Sequence, residues 1–199
     1  MKTRLYTALL GAFFAFGAWA ATPRDTLVVA KNIEDIVSLD PAEAFEFSSG
    51  EVVSNVYEGL VQYDPKDPTK LLPGVAASWK PSADGKALEF TLRSNATFSG
   101  GNPVRFEDVL FSFRRVIKLN KAPAFILAQL GWTNDNIAQM VTKTAGGGVS
   151  VGWSGDFGPG YVLNVLGARP GNIVDEKVVM SKEQAGDMGN QWQIGRAHV

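Results

Sequence analysis

Residues 48–63 read SSGEVVSNVYEGLVQY, and the change of pattern inside them decides the class of fold. Ser48 and Glu51 have the spacing of a capping box, in which a hydroxyl and a carboxylate satisfy each other's backbone N–H groups at a helix start. Val52, Val53, Val56, Tyr57 and Leu60 then fall on one helical face. Gly59 ends this helix, and Leu60 to Tyr63 resumes as a short strand. A helix running into a strand within sixteen residues points to a mixed α/β chain.

Downstream, Asp64-Pro65-Lys66-Asp67-Pro68 reads as a turn, because each proline fixes φ and discourages helix before it. A loop is expected through Leu71 to Gly74, one helical turn over Val75–Trp79, and a loop over Pro81–Lys86 with Asp84-Gly85 at its tip. Leu88, Phe90 and Leu92 alternate with polar residues as a half-buried strand does. Ser99 to Pro103 (SGGNP) forms a second turn. Glu107 and Asp108 then open a helix whose core face is Val109, Leu110, Phe113 and Ile117, with Arg114, Arg115 and Lys118 suited to its carboxyl end. Helical stretches follow at Ala124–Leu130 and, capped by Thr133, at Asn134–Val141. Gly146-Gly147-Gly148 breaks the pattern before a strand at Val149–Trp153, a helical turn or two at Tyr161–Leu166, and a strand or short helix at Ile173–Met180.

Upstream, Ser38 to Pro41 (SLDP) is a turn and Thr26 to Lys31 (TLVVAK) reads as a buried first strand. Lys2 and Arg4 precede an apolar run from Leu5 to Trp19 that closes on Ala18-Trp19-Ala20, the pattern of a secretory signal over residues 1–20. The run falls short of the ~20 residues needed to span a hydrocarbon core, which argues against a membrane anchor. The last six residues, Ile194 to Val199 (IGRAHV), back-translate to the start of a common short-read sequencing adapter. They are expected to be non-biological, which leaves residues 21–193 as an incomplete domain. Removing Lys2, Arg4 and Arg196 leaves sixteen basic against twenty acidic residues, a net charge of −4. Such a chain carries no electrostatic footprint for nucleic acid.

The residues for several chemistries are absent. The chain has no cysteine, and its one histidine, His198, lies in the expected artefact, so no cysteine nucleophile, histidine triad or thiolate metal site can be assembled. Gly152-Trp153-Ser154-Gly155-Asp156 lacks the last glycine of a nucleophile elbow, and Gly146–Gly148 lacks the lysine of a phosphate loop. The sequon Asn95-Ala96-Thr97 is assigned no role. Glu43, Glu46, Glu51 and Glu58 could supply a carboxylate pair for glycoside chemistry, but their spacing fits a solvated surface equally well. Phe45 and Phe47 stand beside Ser48 and Ser49 at a helix amino terminus, where a polar or anionic ligand group can be held. The competing reading is that the rings pack inward and the serines only cap the helix.

Val56-Tyr57-Glu58-Gly59-Leu60-Val61 and Leu72-Pro73-Gly74-Val75-Ala76-Ala77-Ser78-Trp79 resemble the opening of bacterial solute-binding protein family 5, the dipeptide and oligopeptide receptors of ABC importers. The resemblance continues through Asp84-Gly85, Phe90-Thr91-Leu92-Arg93, Phe98-Ser99-Gly100-Gly101-Asn102-Pro103-Val104 and Glu107-Asp108-Val109. Tyr161 to Leu166 and Gly186 to Asn190 are similar to the dipeptide-receptor branch rather than the nickel branch. Arg105-Phe106 departs from the small capping residue and alanine usual in the family.

The resemblance implies a periplasmic-binding-protein-like (type II) α/β fold, of which this chain would hold the early part of the first lobe and its inserted subdomain. It implies a monomeric receptor, with no enzymatic activity and no cofactor, that takes di- or oligopeptides to the permease subunits of the inner membrane. Phe45, Glu46, Ser48 and Ser49 are the candidate ligand-binding residues, whereas Tyr57 and Trp79 are read as core. The same fold could bind an opine, glutathione, haem, a nickel chelate or an oligosaccharide. A secreted carboxylate-based hydrolase and an adhesion module are rivals from other classes, though no repeat supports the latter. Sequencing the source DNA past the codon for Gln193 is expected to show the frame continuing into a second α/β lobe; a stop after a genomic IGRAHV would overturn that expectation.

Overall fold

In a computed structural model of the chain, residues 22–194 are described. The signal sequence read at residues 1–20 and nearly all of the expected artefact, including His198, lie outside them. Two units are distinguished, ending and beginning at Asn32 and Ile33.

In the first unit, Thr26–Lys31 is not a strand. After a turn in which the Thr26 N–H donates to the Pro23 carbonyl at 3.0 Å, the backbone has no regular secondary structure, and Leu27, Val28 and Val29 are exposed. Among the described residues no strand pairs with it. A β-branched run has the propensity for a sheet, but a ladder requires a second strand to complete it.

The second unit is mixed α/β. Helix α1 (Phe47–Val56) leads into a hairpin of β1 (Val61–Asp64) and β2 (Asp67–Pro73). Strands β3 (Ala76–Pro81), β4 (Ala87–Leu92), β5 (Val141–Lys143) and β6 (Val149–Gly152) form an antiparallel sheet in the order β3-β4-β6-β5. Between β4 and β5 lie helices α2 (Phe106–Leu119), α3 (Ala124–Ala128) and α4 (Ile137–Met140). After β6 come α5 (Pro159–Leu166), a 3₁₀ turn at Arg169–Gly171, α6 (Glu176–Met180) and α7 (Asn190–Gln193).

Two expectations are corrected. Val75–Trp79 forms no helical turn: Ala76 to Pro81 pair with β4, Trp79 opposite Phe90, because the ladder outweighs the modest helix preference of Ala-Ala-Ser. The expected loop before Gly74 is strand β2, pairing Leu71 and Leu72 with Tyr63 and Gln62. Its two prolines sit at the ends of the strand, Pro68 next to the turn and Pro73 last, in a two-stranded sheet where a missing N–H is tolerated. The Asp84-Gly85 tip and the Leu88/Phe90 strand stand as read: Asp84 accepts from the Ser82 hydroxyl at 2.6 Å and the Lys86 N–H at 3.1 Å, and both apolar side chains are buried. Gly146–Gly148 is the turn between β5 and β6.

Helix α2 is the spine. Val109, Phe113, Val116 and Ile117 face the main core with Leu88, Phe90, Val149, Val151 and Trp132. Phe111 faces a second, smaller core with Ala44, Val53, Tyr57, Val174 and Met188. Of the four residues expected on its core face only Leu110 is half-buried, and the helix starts at Phe106 in spite of the unusual Arg105-Phe106. The Asp108 carboxylate makes that start possible, accepting the Arg105 N–H at 2.9 Å and the Glu176 N–H at 3.1 Å, so that one side chain serves the beginnings of both α2 and α6.

Arg115, expected at the solvated carboxyl end, is instead fully buried. Its guanidinium donates to both carboxylate oxygens of Asp40, at 2.7 and 2.5 Å, and its Nε donates to the Met188 carbonyl at 2.8 Å. Asp40 also accepts from the Ala42 N–H at 2.9 Å and the Asn190 amide at 2.8 Å. The SLDP turn is thereby fastened to α2 and α7.

A second joint lies at Glu58–Leu60. Gly74 and Ala76 donate to the Leu60 carbonyl, Val75 to Gly59 and Ile173 to Glu58, so this short backbone is clasped from both sides. A side chain at Gly74 would run into the Gly59 carbonyl.

Gly74→Ala is therefore expected to cost about 2–4 kcal/mol, since the obstruction is backbone. Gly85→Ala, at φ +69° in open space, should cost only about 1–2 kcal/mol. Urea midpoints of the two variants test this order. Arg115→Met should cost about 3–5 kcal/mol by stranding a buried carboxylate. Combined with Asp40→Asn, it should cost clearly less than the sum of the single losses in the same titration.

Candidate functional site

The four residues singled out from the sequence follow the SLDP turn, Phe45 and Glu46 in the loop and Ser48 and Ser49 in the first turn of α1. Anchored at Asp40, the chain passes through buried Ala42 and Ala44 and surfaces at Phe45–Glu46–Phe47 before α1 turns inward. Phe47 is 93% exposed and Phe45 43% exposed, so neither ring packs into a core as the competing reading supposed. The Phe45 ring meets Phe125 of α3 edge to face, with centroids 5.9 Å apart, and Phe125 is itself exposed. Three aromatic rings from two distant parts of the chain thus stand at the surface beside this loop.

Ser48 and Ser49 lie on the other side of the backbone. Both are buried, in the first turn of α1 rather than at its cap. The cap residue is Glu46, two positions earlier than the capping-box spacing suggested. Its carboxylate accepts the Ser49 hydroxyl and the Phe45 N–H, both at 3.2 Å. The Ser48 N–H donates to the Asp35 carboxylate at 3.1 Å. Asp35 thus occupies the place beside the helix terminus that an anionic ligand group would take. The structure separates the four candidates into a surface pair, exposed Phe45 and half-buried Glu46, and an interior pair that holds the helix start.

Two residues of this surface escaped the sequence reading. Phe125 is eighty residues from Phe45 along the chain. Arg169 donates from Nη2 to the Phe45 carbonyl at 3.3 Å, across a separation of 124 residues. No local pattern links either to the loop, because only the tertiary fold brings them there.

The other acidic groups serve the framework. Glu43 pairs with Lys121 at 3.1 Å and accepts from Asn190, and Glu58 faces Arg93 at 3.8 Å. Burial pushes the Asp108 carboxyl above its ordinary range, against the pull of the Arg105 and Glu176 N–H groups. Burial, followed by the charge of Asp108, raises Glu176 as well. These shifts sit at a structural junction whose hydrogen bonds are already satisfied. Among the described residues no group of three or more His, Cys, Asp or Glu side chains could hold a metal ion, and no helix is long and apolar enough to cross a membrane.

Residues 70–163 match the sequence profile of the bacterial extracellular solute-binding proteins, family 5 Middle. Over 110 residues the chain is 41% identical to the Probable D,D-dipeptide-binding periplasmic protein DdpA of Escherichia coli (strain K12), a stretch covering 54% of this chain and 21% of that protein. It is 35% identical over 116 residues to the periplasmic murein peptide-binding protein MppA of the same organism, covering 55% of this chain and 21% of MppA. The chain therefore spans about a fifth of the length of these relatives. Among solved structures, Haemophilus influenzae OppA in complex with the peptide RPPGFSPFR superposes with a TM-score of 0.64 at 28% identity, covering 74% of this chain and 30% of OppA. The family is one of substrate-binding proteins rather than enzymes. The profile match, the relatives and the shared fold agree in what they liken this chain to, the bacterial extracellular solute-binding proteins of family 5.

Proposed function

We propose that the whole protein containing this chain is a periplasmic receptor that captures di- or oligopeptides and hands them to the inner-membrane permease of an ABC importer. The observation that carries this reading is the surfaced Phe45–Glu46–Phe47 loop, held by the Asp40 anchor, in a chain whose relatives are named for peptide binding. Exposed rings on a rigid base suit a ligand that offers apolar side chains and a hydrogen-bonding backbone.

In this reading Phe45 and Glu46 face the ligand, while Ser48 and Ser49 fix the start of α1 that presents them. The protein acts as a monomer, exported by the signal read at residues 1–20, and binds without turning its ligand over. Closure of a second lobe over this face would complete the enclosure and create the surface that the permease recognises.

Calorimetric titration of the whole protein with di-, tri- and tetrapeptides is expected to give saturable one-site binding without hydrolysis. Phe45→Ala should weaken it by about tenfold through loss of aromatic contact. Sustained release of amino acids would sink the receptor reading. Silence toward peptides together with binding of an opine, glutathione or an oligosaccharide would transfer the role to that solute.

A further inference from the structure

Arg169 has no part in the framework described above, and its placement is specific. It belongs to the 3₁₀ turn Arg169–Gly171, whose backbone is closed by the Gly171 N–H on the Ala168 carbonyl at 2.8 Å and the Asn172 N–H on the Arg169 carbonyl at 3.0 Å. Pro170 and Gly171 are buried, so the turn is a firm base. From it the guanidinium crosses α1 and donates to the Phe45 carbonyl.

Gly50, within α1, makes that crossing possible. A methyl group at this position would coincide with the guanidinium of Arg169. Glycine lowers the stability of a helix interior relative to alanine, so its use here answers to a neighbour rather than to the helix. Two independent observations, a hydrogen bond and a vacated volume, therefore concern the same side chain.

We propose that Arg169 is a positioning residue that pins the Phe45–Glu46–Phe47 loop in its ligand-ready shape, and that Gly50 is the notch through which it reaches the loop. The inference rests on the reading of this loop as ligand-facing. By holding the Phe45 carbonyl, the guanidinium fixes the peptide plane between Phe45 and Glu46. Without that restraint the loop samples alternatives, and the ordering would have to occur on binding.

The test uses the whole protein as wild type, Arg169→Ala, Gly50→Ala and the double variant. Arg169→Ala is expected to speed hydrogen exchange at the Phe45 to Ser48 amides and to weaken binding of the probe trialanine by about tenfold. Gly50→Ala should reproduce both effects by displacing the guanidinium, and the double variant should bind no more weakly than either single variant. Gly50→Ala should also lower the thermal midpoint when Arg169 is present and raise it in the Arg169→Ala background, where only alanine's helix preference remains. Equal effects of Gly50→Ala in both backgrounds would overturn the proposal, as would unchanged loop exchange in Arg169→Ala or a loosened loop with undiminished affinity. Should wild type bind neither trialanine nor other tripeptides, the peptide reading fails, and the exchange and thermal comparisons still decide the role of Arg169.

Discussion

The buried pair of Arg115 and Asp40 is the constraint on which the rest of the second unit depends. Two charges taken out of water lose their hydration and are tolerated only when their hydrogen-bonding capacity is filled, as it is here by Ala42, Met188 and Asn190. Few other arrangements of these segments would satisfy both ions. The pair thus selects one geometry among the many that apolar contacts alone would permit, and the helix spine, the loop after Asp40 and the last helix are set by it together.

The Glu58–Leu60 joint does the complementary work for the sheets. Strand β3 and the segment entering α6 meet at these three residues, and neither hydrogen-bonding side involves a side chain. Motifs that look like separate sequence blocks, the Tyr57-Glu58-Gly59-Leu60 run and Leu72-Pro73-Gly74-Val75-Ala76, are two halves of one contact. Their glycines are needed because one backbone lies directly on another at Gly74. Arg93 reinforces the same place, donating from its backbone N–H to the Val75 carbonyl and from its guanidinium to the Pro73 carbonyl.

Periodicity disclosed the elements whose own residues decide them. Helix α2, strand β4, the Asp84-Gly85 tip and the glycine turn before β6 were legible because amphipathic spacing and turn chemistry are local. Strand β3 was not, since Ala-Ala-Ser favours a helix until β4 offers a ladder. Thr26–Lys31 failed in the opposite direction, having strand composition without a paired neighbour. At the candidate site the loop itself was found, from aromatic residues standing beside a helix start. Its partners Phe125 and Arg169 were not, and neither was the inward placement of Arg115, because a charged residue near a helix end is ordinarily solvated and nothing nearby announces Asp40, seventy-five residues earlier.

The separations across the Asp40 network also govern timing. Asp40 bonds to Arg115 over 75 residues and to Asn190 over 150. In a chain built from its amino terminus, the SLDP segment precedes by far the groups that neutralise Asp40, so its network is complete only when α7 is present. Helix α2 and the β1–β2 hairpin rest largely on nearby contacts, whereas the loop that carries Phe45 depends on bonds across 75 and 150 residues. The bonds that fasten the amino-terminal loop thus join residues from nearly the two ends of the described length, so this loop is the part of the second unit most sensitive to loss of the carboxyl-terminal segment.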